Sequence, residues 1–141
     1  MEQLDVVALI HAAQQLERNT AISLMYSGLK VSQFRLLTFL ESAPEPTVTQ
    51  ISKYLKITRA SASVMVNELV RAKILSTEEH PVDRRSFLIQ ITALGESKLT
   101  VAHRDLKVLQ EKLSEHYATE TIQVLNDFAA AITNRKPGGA E

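Results

Sequence analysis

Within nine consecutive positions, Arg59 to Asn67, stand several side chains suited to bonding with base edges or phosphates. Arg59 offers a planar fork of donors for guanine or a phosphate, and Asn67 suits adenine or a phosphate. Ser61 and Ser63 are short hydrogen-bonding groups that let a backbone sit close to its target. Val64 is the apolar exception, suited to the methyl group of thymine. Helical spacing separates this set from Ala62, Met65, Val66 and Leu69, which share an inward stripe. Taken alone, the segment also reads as an ordinary amphipathic helix with a solvated Ser/Asn face.

A second group follows in His80-Pro81-Val82-Asp83-Arg84-Arg85. An arginine on a narrow hairpin can enter a minor groove, where A·T tracts concentrate negative potential. Asp83 would repel DNA unless it accepts hydrogen bonds from Arg85 and so fixes the direction of the guanidinium. The alternative is a solvated turn with an exposed ion pair, which contributes little.

The elements that must position these groups follow from pattern and caps. Leu4, Val7, Ala8, Ala12 and Leu16 recur at helical spacing, and a helix is expected from about Gln3 to Met25, with Gly28 as its stop. Ser32 is expected to cap the next helix, with Val31 and Leu36 as a hydrophobic staple. The prolines of Ala43-Pro44-Glu45-Pro46 end it. A short helix follows, capped by Thr49 or by Thr47 with Gln50 as a capping box. Lys56 and Ile57 turn the chain, and Thr58 caps a helix over about 59–72. Residues 74–79 and 86–91 read as two strands, the second alternating Phe87, Ile89 and Ile91 against Ser86 and Gln90. Thr92 caps a long helix to about Tyr117, and Thr119 opens another to about Asn134. Residues 135–141 are Pro/Gly-rich and expected to fray.

Short helix, tight turn, helix and basic-tipped hairpin make up a winged helix-turn-helix, which places its second helix in a major groove. The fold class is therefore mainly α with a small antiparallel β-hairpin wing. From about Ser32 to Leu99 the chain resembles the MarR family of regulators. The resemblance is carried by "VSQFRLLTFLE", by "TVTQISKYLKITRASASVMVNELVRAKIL" and by the wing pattern in "DRRSFLIQITALGESKL". It implies one domain over 1–141, with the winged lobe at about 32–98 and dimerisation helices at 1–28 and 99–134. It implies a ligand-responsive repressor binding duplex DNA as a homodimer at pseudo-palindromic operators, with a small aromatic or phenolic effector. It places Arg59, Ser61, Ser63, Val64 and Asn67 on the reading face, and Asp83 and Arg85 as the wing pair beside Arg84. Val64 stands where many members have arginine. Lys73 stands at their usual glycine, where a left-handed backbone would strain lysine, so a locally different helix end is expected.

Composition narrows the alternatives. The 141 residues balance 16 basic against 16 acidic side chains, which taken as a sum argues against a polyanion partner. Distribution matters more: from Lys53 to Arg85, seven basic residues stand against four acids, a local excess of three. There is no cysteine, which closes disulfide, thiolate-metal and thiol-redox chemistry and fits a cytoplasmic protein. No leader or membrane span is expected. His11, His80, His103 and His116 are too scattered for a metal site, and no cofactor is expected. No phosphate loop, nucleophile elbow or zincin motif points to an enzyme. Leu99, Ala102, Leu106, Leu109 and Leu113, and then Ile122, Leu125, Ala129 and Ile132, repeat like heptad seams, which favours pairing of two chains. The competing reading is a winged helix that binds proteins instead of DNA.

Overall fold

A computed structural model describes residues 1–43, 46–82 and 87–135. Helix α1 spans Val6–Ser23, and a 3₁₀ turn, Met25–Ser27, follows it. Then come α2 (Val31–Ser42), α3 (Val48–Leu55), α4 (Arg59–Arg71), β1 (Leu75–Glu79), β2 (Phe87–Ile91), α5 (Ala93–Ser114) and α6 (Thr119–Asn134). The chain falls into two compact units, Met1–Leu106 and Lys107–Glu141, with the boundary inside α5.

Local chemistry sets the element ends of the first unit. Asp5 starts α1 by accepting from the Ala8 N–H at 3.0 Å. The helix closes before Met25, because the Ser27 hydroxyl donates back to the Leu24 carbonyl at 2.6 Å and tightens the chain. Gly28 ends that turn at φ 76°, where a Cβ would lie 3.3 Å from the Lys98 ammonium. The expected Ser32 cap is corrected to Lys30, whose N–H donates to Gln33 Oε1 at 3.0 Å. A glutamine reaching backwards, not a serine reaching forwards, satisfies the first turn. Val31 is then the first helical residue, which removes the expected staple geometry with Leu36.

The core joins α2, α3, α4, the strands and the first half of α5. Leu36, Leu37, Ile51, Leu69, Leu75 and Leu99 are among its fully buried members. Each buried leucine of this kind stabilises the fold by about 2–5 kcal/mol relative to alanine. The strands pair antiparallel with Leu75 opposite Ile91, Thr77 opposite Ile89 and Glu79 opposite Phe87. Thr92 ties α5 to the end of α4. Its hydroxyl lies 2.6 Å from the Lys73 carbonyl and 3.0 Å from that of Ile74, and accepts from the Gly95 N–H at 3.1 Å.

Two further expectations are corrected here. Lys73 keeps the left-handed backbone, φ 61°, so the helix end is not locally different. The Ile74 N–H donates to the Leu69 carbonyl at 2.9 Å and that of Lys73 to Val70 at 2.9 Å, which hold the residue there. The seam expected from Leu99 to Leu113 is divided. Leu99 and Ala102 are buried in the core and Leu106 packs against it, whereas Leu113 is exposed.

In the second unit α5 ends at Ser114 rather than Tyr117, whose N–H donates to the Ser114 carbonyl in a turn. Thr119 opens α6 as expected, and Val124, Leu125 and Ile132 are exposed on it. No described helix is long and apolar enough to cross a membrane.

Candidate nucleic-acid interface

The helix-turn-helix is built from caps and one tight turn. Thr47 and Gln50 form the capping box of α3. The Gln50 N–H donates to Thr47 Oγ1 at 3.2 Å, and the Thr47 N–H to Gln50 Oε1 at 3.3 Å. Lys56 takes a left-handed conformation at the end of α3, φ 57°, and reverses the chain. Thr58 then caps α4 by accepting from the Ser61 N–H at 3.1 Å. Ala62, Val66 and Leu69 are buried and Met65 packs partly against the core, which fixes the roll of α4. Ala62 leaves room for α3 and α4 to approach closely.

That roll leaves a polar outer face. Arg59, Ala60, Ser61 and Asn67 are exposed, Ser63 is half-buried, and Val64 is 55% exposed. An exposed valine next to small side chains forms a shallow apolar crest. The Ser61 hydroxyl bonds Thr58 Oγ1 at 2.9 Å, which gives it a part in the cap as well as a place on this face.

The hairpin stands beside α4. Arg59, Ser63 and Asn67, spaced one turn apart, line a cleft with Thr47 and Thr49 from the α3 end and with Thr77, Phe87 and Ile89 from the strands. The structure therefore brings Arg59, Ser63 and Asn67 together with the base of the hairpin. Ser61 and Val64 do not line that cleft. Asp83, Arg84 and Arg85 lie outside the described residues, as does Ser86. Next to them His80 Nδ1 accepts from the Val82 N–H at 3.1 Å, and Val82 is exposed.

Thr77 and Phe87 were not anticipated as part of the site, and Thr47 and Thr49 were read only as caps. By alternation Phe87 shares a strand face with Ile89, which is buried, and Ile91. Phe87 is 58% exposed, because the strand runs past the end of the core. Among the described residues no group of three or more His, Asp or Glu side chains could hold a metal. His103 instead shares a hydrogen bond of 2.9 Å with Glu41 and meets Phe34 edge-on at 5.2 Å.

Residues 27–86 match the model of the MarR family. The chain is 22% identical over 108 residues to the uncharacterized HTH-type transcriptional regulator YdgJ of Bacillus subtilis strain 168. That match takes in 77% of this chain and 66% of that protein, a little under two thirds. Among solved structures, the transcriptional repressor CouR bound to a 23-mer DNA duplex superposes with a TM-score of 0.86. The identity is 23%, and 93% of each chain is covered. CouR from Rhodococcus jostii RHA1 bound to p-coumaroyl-CoA gives a TM-score of 0.81 at 19% identity, covering 97% of this chain and 96% of that one. The likeness establishes the winged-helix fold.

Proposed function

We propose, from the match of residues 27–86 to the MarR family model, that the chain is a sequence-specific, duplex-DNA-binding transcription regulator. The observation that carries this reading is the placement of α4 beside the hairpin, with Arg59, Ser63 and Asn67 on the side shared with Thr77 and Phe87. A helix and a hairpin on one side of a lobe are what a protein needs to engage neighbouring grooves. In this reading α4 enters the major groove. Ser61, Ser63, Val64 and Asn67 meet base edges there, Arg59 meets a guanine or a phosphate, and Asp83 orients Arg85 toward the minor groove beside Arg84. No catalytic residue, cofactor or metal is assigned, and the site of action is the cytoplasm.

We take residues 1–141 as one MarR-like domain acting as a homodimer. Helix α1 has 18 residues and buries none, and α6 has 16 and buries none. Helices of that length gain most of their stability from packing an apolar face, not from propensity. Val7, Ile10 and Ile22 on α1, and Leu125 and Ile132 on α6, are exposed apolar groups that a second copy would cover. Twofold pairing makes the operator pseudo-palindromic, with half-sites about one helical turn (~10 bp) apart. Repression relieved by a small aromatic or phenolic effector completes the reading, and the p-coumaroyl-CoA bound by CouR supports that class.

Arg85→Ala tests the wing. A mobility-shift titration is expected to show more than a tenfold loss of affinity for a cognate palindrome, with an unchanged circular dichroism spectrum. Undiminished affinity would remove Arg85 from the interface.

A further inference from the structure

The cleft between α4 and the hairpin, about 370 Å³, has a lining that base reading leaves unexplained. Its walls include the hydroxyls of Thr47, Thr49 and Thr77, the Arg59 guanidinium, the Asn67 amide and the Phe87 ring. We propose that this cleft seats one sugar-phosphate strand of the duplex as it passes from the groove read by α4 to the groove reached by the hairpin. Arg59 and the threonine hydroxyls hold a phosphate, and the Phe87 ring packs on a deoxyribose. This rests on the DNA-binding reading and sharpens it: Arg59 becomes a phosphate ligand rather than a reader of guanine, and Ser63 and Asn67, which line the same cleft, meet that strand rather than base edges.

Charge selects the occupant. Among the described residues, no carboxylate lines this cleft. A second cleft, between α2 and β2, is lined by Glu41 and Glu96 and would repel a polyanion. Glu79 shares a strand face with Phe87 but lies outside the cleft lining and has an interaction partner of its own. Among the described residues, no hydrogen bond or ion pair engages the side chains of Arg59, Asn67 or Thr77, so their donors are available. Phosphate oxygens accept such donors from arginine, asparagine and threonine alike.

Position selects the roles. The exposed crest of α4 is made by Ala60 and Val64, whereas Arg59 is on the cleft side with Thr49. A base edge would meet the crest, and the backbone would meet the cleft. Phe87 lies on the hairpin wall, where the nearest part of a strand between two grooves is its sugar. An aromatic ring on an exposed strand end gains by covering the C–H face of a deoxyribose and losing water from both.

The test is fluorescence anisotropy on the full-length protein with a selected palindrome and a random duplex, each over a salt series. Phe87→Ser is expected to weaken both duplexes by a similar factor, roughly three- to tenfold, at unchanged salt slope. Phe87→Leu, which keeps apolar cover, is expected to lose less. Arg59→Ala is expected to weaken both duplexes alike and to lower the salt slope by about 0.9 for each phosphate that the guanidinium neutralises in the parent. Thermal melts confirm that the variants are folded. The proposal is overturned if Phe87→Ser binds both duplexes like the parent. It is equally overturned if Arg59→Ala loses affinity only for the palindrome with an unchanged slope. Failure of the unsubstituted protein to bind either duplex would overturn the DNA-binding reading itself, and this proposal with it.

Discussion

Single residues set both the ends of α4 and its outer chemistry. Lys73 holds a left-handed backbone that glycine would adopt freely. Its side chain is exposed and its N–H is already used by the Val70 carbonyl, so relief of strain is the main effect of substitution. Lys73→Gly is expected to raise unfolding free energy by about 1 kcal/mol in urea titrations, with DNA affinity unchanged. A lower denaturation midpoint would show that the lysine contributes something the backbone geometry does not reveal. The cap of α4 was legible because Thr58 satisfies an orphan amide by a forward-reaching oxygen at fixed spacing. For α3 the sequence left Thr49 and the Thr47–Gln50 box open, and the structure takes the box, not Thr49. The start of α2 was not legible. Ser32 matched a cap by type, but Gln33 two residues inside the real boundary reached back to Lys30. Type alone does not decide between two possible partners of the first turn.

Among the elements, α5 shows how tightly the hairpin is anchored to the lobe. A Cβ on Gly95 would meet the Ile74 carbonyl at 2.4 Å and Ile91 Cγ2 at 2.7 Å. Backbone on one side and a strand side chain on the other leave little room to give. Gly95→Ala is expected to destabilise the fold by about 1–3 kcal/mol in chemical denaturation. Weaker DNA binding would accompany it, because the same packing sets the angle of the hairpin beside α4. A stability equal to the parent would mean that α5 can slide, and that the hairpin is not held from behind. The order of these elements was readable from periodicity and caps, whereas the cleft between them was not. Strand alternation put Phe87 on one face with Ile89 and Ile91, but the distance to which the core extends along a strand is a tertiary property. The division of the α5 seam has the same origin. Leu99, Ala102 and Leu113 share a spacing, and only packing distinguishes the buried pair from the exposed leucine.

At the scale of the whole molecule, exposed apolar side chains on α1 and α6 require cover that neither helix supplies for itself. In the proposed homodimer a second copy would supply it symmetrically, and a twofold pair would bring two reading heads to one duplex. Ile132→Asp combined with Leu125→Asp is expected to shift the sedimentation coefficient from dimer to monomer and to weaken operator binding by at least tenfold. A pair that survives both substitutions would place the dimer interface elsewhere. In the proposed reading this chain engages duplex DNA with α4 and the hairpin as a twofold pair. Selection of bound duplexes from a random pool by the purified protein tests it most directly. The expected result is enrichment of one pseudo-palindrome with half-sites about one helical turn (~10 bp) apart. A pool that stays random at low salt, where phosphate contacts are strongest, would contradict it.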